Sequence, residues 1–169
     1  MIIRGTALLA FFCLASAASA APLWQNVESG MSSAQIRAAQ PTAEPDAEAS
    51  ALHSGARCEL SIRSLEVASY RFKVCFYMQQ GKLEQVTLQA ADPSETMFSS
   101  TVDLLRAKYG PEIGAGGSLC KRGMLTTCEA KWLLKSGVNV DALFMSIQGT
   151  DPLVNINYQT RMASDASKL

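Results

Sequence analysis

A helix between Asp92 and Pro111 is the best-defined element that the sequence predicts. Asp92 can cap its start, and Pro93 suits the first turn because the N–H that proline lacks would be unpaired there. Gly110 favours termination, and the following proline prevents the helix from resuming. Apolar residues recur at steps of three and four between these ends, so one helix face is expected to be buried. That face comprises Phe98, Val102, Leu105 and Tyr109, widened by Met97 and Leu104.

On both sides of this helix the apolar period falls to two, which predicts β-strands. Three alternating segments precede the helix and three or four follow it, with short polar or glycine-containing turns between them. The predicted buried faces are Cys58, Leu60 and Ile62; Phe72, Val74, Phe76 and Met78; Val86, Leu88 and Ala90; Cys128, Ala130, Trp132 and Leu134; Val138, Val140, Ala142 and Phe144; Val154, Ile156 and Tyr158.

A shorter helix is predicted before the first strands, because Ser32 and Gln35 form a capping box and Pro41 ends the helical pattern. The order of helix and strands then occurs twice along the chain. It predicts an α+β fold, in which two helix-plus-antiparallel-meander halves form one domain with the helices packed on one face of the sheet. The corresponding pseudo-repeats are expected at about 22–91 and 92–162.

Three segments have no apolar period and are expected to be flexible: a mobile loop at 41–55, a glycine-rich connector at 114–118 and a C-terminal tail at 163–169. His53, which is the one histidine of the chain, lies in the first of them. Because catalysis needs a group that is held in place, we expect His53 to be a solvated loop residue.

Residues 1–20 have the pattern of a secretory signal peptide, with Arg4, an apolar run and a small-residue ending at Ala18 to Ala20. A single domain at 21–169, periplasmic or secreted, is therefore expected. Cys13 lacks the preceding small residue of a lipoprotein signal, so no lipid anchor is predicted, and no later segment has the length of a membrane span.

Charge gives no indication of a polyanionic partner. Without Arg4 the chain carries 15 − 1 = 14 basic residues against 15 acidic residues, a net charge of −1. Neither nucleic acid nor an anionic membrane is therefore expected as a partner.

Four cysteines remain beyond the predicted signal peptide, and an even number in an exported chain predicts two disulfides. The four cysteines can be connected in three ways. We predict Cys58 with Cys75 and Cys120 with Cys128, because each of these pairs falls within one predicted hairpin. Apolar matching places Cys58 opposite Phe76, so the first bridge requires a β-bulge or a shifted register. A zinc site is the weaker alternative because no C-x-x-C pair is present, and we expect no metal and no cofactor.

The predicted wet faces of the strands carry side chains that suggest a binding surface. In the first meander apolar matching sets Arg63 opposite Arg71, an unfavourable pair unless an acidic group lies nearby. In the second meander it sets Lys131 opposite Asp141, and the same face carries four apolar residues that need a cover, either from this chain or from a partner. These four are Leu143, Met145, Ile147 and Leu153. The predicted protein-binding residues are Arg63, Arg71, Lys73, Tyr77, Leu143 and Met145.

The segment from Trp24 to Ile36 resembles the opening helix of the small BamE-like (SmpA/OmlA) envelope proteins and of the related β-lactamase-inhibitor-protein fold. In these families a Gly-Met-Ser/Thr-x-x-Gln-Val run precedes a meander. The resemblance implies a protein-binding module without catalysis. The missing lipid-anchor cysteine distinguishes this chain from the assembly lipoproteins.

The sequence therefore favours an exported module that binds another protein, as an inhibitor or accessory factor of an envelope or secreted protein. A small periplasmic enzyme using carboxylate chemistry and a structural envelope protein are the alternatives. No catalytic residue is assigned. The oligomeric state and the identity of the partner are not specified by the sequence.

Overall fold

The computed structural model describes residues 22–113 and 119–160 of the 169-residue chain. The signal peptide expected at 1–20, the connector at 114–118 and the tail at 163–169 lie outside the described residues. Among the described residues, no helix has the length and apolar character that crossing a membrane requires.

Two helices and a small hairpin accompany the main sheet. They are α1 (Ser33–Ala39), α2 (Glu95–Tyr109), β1 (Pro22–Trp24) and β2 (Val27–Glu28). Gln35 accepts a hydrogen bond from the Ser32 N–H at 2.9 Å, so the side chain predicted to cap α1 does so.

Eight antiparallel strands form the main sheet. They are β3 (Glu44–Pro45), β4 (Arg57–Val67), β5 (Tyr70–Gln79), β6 (Lys82–Ala90), β7 (Leu119–Lys121), β8 (Leu125–Leu133), β9 (Val138–Ile147) and β10 (Leu153–Thr160). Their order in the sheet is β3-β4-β5-β6-β10-β9-β8-β7. Because β6 pairs with β10, the meanders before and after α2 share one continuous sheet.

One face of this sheet, the covered face, packs against α2 and the N-terminal hairpin. The ring centroid of Phe98 on α2 lies 6.2 Å from that of Phe144, and Trp24 meets Phe76 at 6.1 Å. Trp132 is buried, as expected, and its indole N–H donates to the carbonyl of Gly110 at 2.9 Å. The alternation of apolar residues along β5, β6, β8, β9 and β10 therefore produces the core that it predicts.

The expected α+β architecture is wrong. The described residues are 50% strand and 17% helix, and they form one large sheet rather than two helix-plus-meander halves with helices packed on them. α1 has seven residues, of which only Ile36 is buried, so it is too small to cover a meander. The molecule is mainly β, and the N-terminal hairpin covers part of the sheet where the sequence predicts a helix.

The start of α2 also differs from the prediction. Ser94, rather than Asp92, is the N-cap, and its hydroxyl accepts a hydrogen bond from the Met97 N–H at 3.1 Å. The helix ends at Gly110 as predicted, with a φ of 84° that favours glycine. The expected apolar stripe is buried except at Leu104, which is exposed, and Tyr109, which is partly buried.

Two irregularities in β4 change the expected register against β5. One falls between Cys58 and Leu60, and it aligns Cys58 with Tyr77. The other falls between Ile62 and Leu65. It places Glu66 opposite Arg71, so the expected Arg63–Arg71 pair does not form.

Both predicted disulfides are present. Cys58 is bonded to Cys75, with 5.7 Å between the Cα atoms, and the register shift in β4 is the one that this bridge required. Cys120 is bonded to Cys128 between β7 and β8, with 4.0 Å between the Cα atoms.

The two edges of the sheet are short strands. β3 contributes two residues, including Pro45, and β7 contributes three. Short edge strands and proline limit pairing with other chains.

Candidate binding face

The second face of the sheet, here called the open face, points away from α2. Strand pairing places successive polar positions side by side across it, from Ser61 and Cys75 through Thr87 to Asn157 and Asp141. The six residues predicted to bind a partner lie on different parts of the molecule. The two halves of this face differ in whether another segment of the chain covers them.

In the first half, residues 46–55 lie over the open face; we call them the cover segment. Its backbone binds to β4 through the Asp46 N–H, which donates to Glu59 at 3.0 Å, and through the Ser50 carbonyl, which accepts from Cys58 at 2.8 Å. The cover segment, which is part of the loop expected at 41–55, is therefore attached to the sheet at several points.

Lys73 holds the cover segment by charge. Its ammonium group lies 2.9 Å from Asp46 and 2.8 Å from Glu48. Burial acts to raise the pKa of Asp46, but hydrogen bonds from Lys73, Ser61 and the Ala49 N–H outweigh it and lower that pKa to about 2. Lys73 is therefore occupied by this chain and is a poor candidate for binding a partner.

Tyr77 is similarly occupied. It is buried with the Cys58–Cys75 bridge, and Leu52 of the cover segment packs against this cluster. Its hydroxyl lies 3.2 Å from that of Ser50, close enough for a hydrogen bond. The alternation of residues along β5 predicts the face on which Tyr77 lies, but not the segment that covers it.

The two arginines form exposed ion pairs away from the patch formed by Leu143 and Met145. Arg63 lies 3.4 Å from Glu44, and Arg71 lies 2.9 Å from Asp92. Because such exposed pairs contribute little free energy, either arginine can exchange its partner readily. The structure therefore does not bring the six predicted residues together.

Leu143 and Met145 lie on the second half of the open face, where they are only partly buried. Strand pairing sets Leu153 beside Met145 and Leu125 beside Ile147, and the last two are 46% and 47% exposed. These five residues form one surface that we call the apolar patch. No described residue covers it in the way that the cover segment covers the first half.

Asp141 and Asn155 border the apolar patch, and neither is among the binding residues that the sequence predicts. The Oδ1 atom of each is buried without a hydrogen-bond partner among the described residues. Lys131 lies opposite Asp141 as predicted, but its ammonium group contacts Glu129 at 2.7 Å. Asparagine is depleted in strands, so its presence at two alternate positions of β10, Asn155 and Asn157, is the sequence signal that could have pointed to this polar site.

Burial raises the pKa of Asp141; the charge of Lys131 lowers it, and that of Glu129 raises it further. A buried acceptor without a donor costs free energy unless another molecule supplies one. The neighbouring amides on this face are satisfied, since Thr87 donates to Asn157 at 2.9 Å and Gln85 donates to Asn157 at 3.2 Å. The second half of the open face thus combines an apolar surface with two buried acceptors that have no donor among the described residues.

The described residues offer little for a metal or for nucleophilic catalysis. Their one cluster with metal-ligand types is Glu95 with Cys120 and Cys128, but the two sulfur atoms are bonded to each other. Ser61 is buried beside Lys73. Burial acts to lower the pKa of Lys73, but Glu48 and Asp46 outweigh it and raise that pKa, which favours the protonated amine over a base. His53 is exposed.

Comparisons with family models, with curated proteins and with solved structures gave no match to this chain. Its function therefore has to be argued from the open face itself. The features that distinguish that face are the apolar patch and the unpaired oxygens of Asp141 and Asn155.

Proposed function

We propose that this chain is an exported protein-binding module, and that the apolar patch with Asp141 and Asn155 binds a protein partner. Two disulfides are compatible with an oxidising extracellular or periplasmic location. A module of this kind can inhibit or assist an envelope or secreted protein.

The observation that carries the proposal is the contrast between the two halves of the open face. The first half is closed by the cover segment, which supplies acidic partners to Lys73 and an apolar lid to Tyr77. The second half leaves five apolar side chains partly exposed beside two buried acceptors. A partner that presents apolar side chains next to an arginine or lysine would bury the patch and donate to Asp141.

Capture of proteins from an envelope extract tests the proposal when it is done with matched variants. Met145→Glu places a carboxylate in the apolar patch, whereas Ser99→Glu adds the same charge on the exposed side of α2. We expect the parent and Ser99→Glu to bind the same partner, and Met145→Glu to bind it at least about tenfold more weakly, as loss of an interface anchor does.

Thermal unfolding of Met145→Glu should remain close to that of the parent, since the side chain is partly exposed. The affinity of each captured protein is then measured with purified components. Equal affinity for the parent and Met145→Glu would rule out the apolar patch as the binding surface.

Carboxylate catalysis is the second candidate, and one observation favours it. Asp141 has a raised pKa, stands near Glu129, and lines a cavity of about 210 Å³ with Lys131 and Gln159. A raised pKa suits a general acid. An enzyme would lose turnover in Asp141→Asn while Met145→Glu remained active, and a binding module would show weaker partner capture in both variants.

A further inference from the structure

A second site lies on the covered face, between α2 and the N-terminal hairpin. It is a cavity of about 250 Å³ that neither the partner surface nor the disulfides involve. Its walls are apolar side chains of β1, β4, β5, β6, β10 and α2. They include Trp24, Leu65, Phe72, Leu88, Leu105 and Ile156.

Two exposed apolar residues mark the mouth of this cavity. Val67 at the end of β4 is 37% exposed and Leu104 on α2 is 41% exposed, and both line the cavity. Leu104 belongs to the apolar stripe that the sequence predicts to be buried. Its exposure is explained if the space beside it receives a ligand.

Lys108 supplies the charge at this site. It is the one charged residue among the twelve that line the cavity, and no ion pair among the described residues includes it. The residue is exposed, and its ammonium group lies 4.9 Å from the centroid of the Tyr109 ring. An anionic group at the mouth would therefore meet a cation that has no carboxylate partner.

Thr101 adds a polar group to the lining. Its side chain is buried, and its hydroxyl donates only a long contact of 3.9 Å to the sulfur of Met97. Thr101, Leu105 and Lys108 follow one face of α2, so the lining runs along about 10 Å of the helix. The lining is therefore mainly apolar, and Lys108 adds a cation to the polar side chains of Gln25, Thr101 and Tyr158.

We propose that this cavity binds a monocarboxylate with a single alkyl chain of about eight to ten carbons. An apolar cavity of about 150 Å³ accommodates benzene, and at about 30 Å³ per small group the present volume accommodates about eight groups. The alkyl chain lies among the apolar walls, and the carboxylate lies at Lys108. This site is independent of the protein-binding function proposed above.

The apolar part of the proposed site is tested by measuring how saturated fatty acids of six to twelve carbons bind to the protein purified from cells. The affinity should rise about three- to fourfold with each added methylene while the cavity fills, and then level off near ten carbons. An affinity that keeps rising through twelve carbons, or the absence of binding by every acid, would overturn the proposal.

Charge reversal tests the cationic end. Decanoate should bind Lys108→Glu about fivefold more weakly than it binds the parent, while decylamine should bind the variant more tightly and decanol should bind both alike. Lys135→Glu, in the turn between β8 and β9, is the matched control and should behave as the parent does. The same head-group preference in Lys108→Glu and in the parent refutes the assignment of Lys108.

Tryptophan fluorescence tests the location. Trp24 lines the cavity and Trp132 does not, so 10-bromodecanoate should quench the parent but not a Trp24→Phe variant. Undiminished quenching in Trp24→Phe places the ligand elsewhere and overturns the proposal. Met145→Glu should bind decanoate as the parent does, so failure of this site and failure of the partner surface are separate results.

Discussion

Individual polar side chains determine which half of the open face is closed. Lys73 and Asp141 both lie on this face, but Lys73 meets two carboxylates of the cover segment while one oxygen of Asp141 has no partner among the described residues. The first arrangement is what a buried charge requires, and the second is uncommon in a folded protein. Unpaired oxygens beside an apolar patch therefore distinguish the second half from the first.

The first prediction concerns Asp46, whose pKa falls to about 2 on folding from an ordinary value of 3.8. A lowered pKa stabilises the fold fully above about pH 4, and this contribution is lost as the pH falls towards 2. Asp46→Asn should therefore reduce the free energy of unfolding by about 1–2 kcal/mol at pH 6.

Urea unfolding at pH 6 and pH 2 measures this difference, which should be much smaller at pH 2. Glu44→Gln, at the exposed pair with Arg63, is the control and should have little effect at either pH. An equal loss of stability at both pH values for Asp46→Asn would contradict the ion-pair explanation.

The second prediction concerns Asp141, whose pKa is raised by burial. A group with a raised pKa favours the fold only while it is protonated, so its contribution is lost as the pH rises through the folded-state pKa. Asp141→Asn should therefore be more stable than the parent at pH 7, and this difference should disappear near pH 3. Thermal unfolding at both pH values provides the measurement, and a destabilised variant at pH 7 would show that the carboxylate has a partner.

At the scale of elements, α2 shows what periodicity can and cannot predict. The steps of three and four identify the buried stripe, and Gly110 identifies its end. They do not identify Ser94 as the cap, because Asp92, Ser94 and Pro93 are all compatible with a helix start. They also place Arg106 off the stripe, although it joins Asp103 to the buried carboxylate of Glu112 at 2.5 Å.

The third prediction tests α2. Val102→Asp buries a carboxylate in the core and should cost at least about 3 kcal/mol of unfolding free energy. Arg106→Ala should cost about 2 kcal/mol, because the Glu112 carboxylate loses its guanidinium partner. Ala107→Gln, on the exposed side, should change stability by less than about 0.5 kcal/mol, and chemical denaturation compares the three.

At the scale of the whole molecule, the sequence predicts the strands but not their arrangement. Period-two patterns give the buried face of each strand and the local hairpins, including both disulfides. They contain no information on distant partners, so the pairing of β6 with β10 could not be predicted. The same limitation hid the position of the cover segment, whose side-chain hydrogen bonds to β5 join residues that lie 25 or more positions apart, as between Glu48 and Lys73.

The apolar patch could be predicted because four positions of the second meander that should face water carry apolar residues. Asp141 could not be recognised as unpaired, because its predicted neighbour Lys131 turns to Glu129 instead. That choice depends on side-chain geometry on one face, which strand register does not determine.

The Cys120–Cys128 bridge affects whether this chain aggregates before its cysteines are oxidised. It fixes the three-residue β7 against β8, and without it so short a strand is held by few hydrogen bonds. The backbone of β8 would then be free to recruit a strand from a second copy, which is the first step towards fibres. A Cys120→Ser/Cys128→Ser variant should therefore scatter light sooner than the parent during incubation at 37 °C, whereas Ser99→Glu should not. Oxidation of this cysteine pair would therefore allow the folded chain to accumulate without polymerising. In a thiol-reducing compartment the chain would remain prone to polymerise.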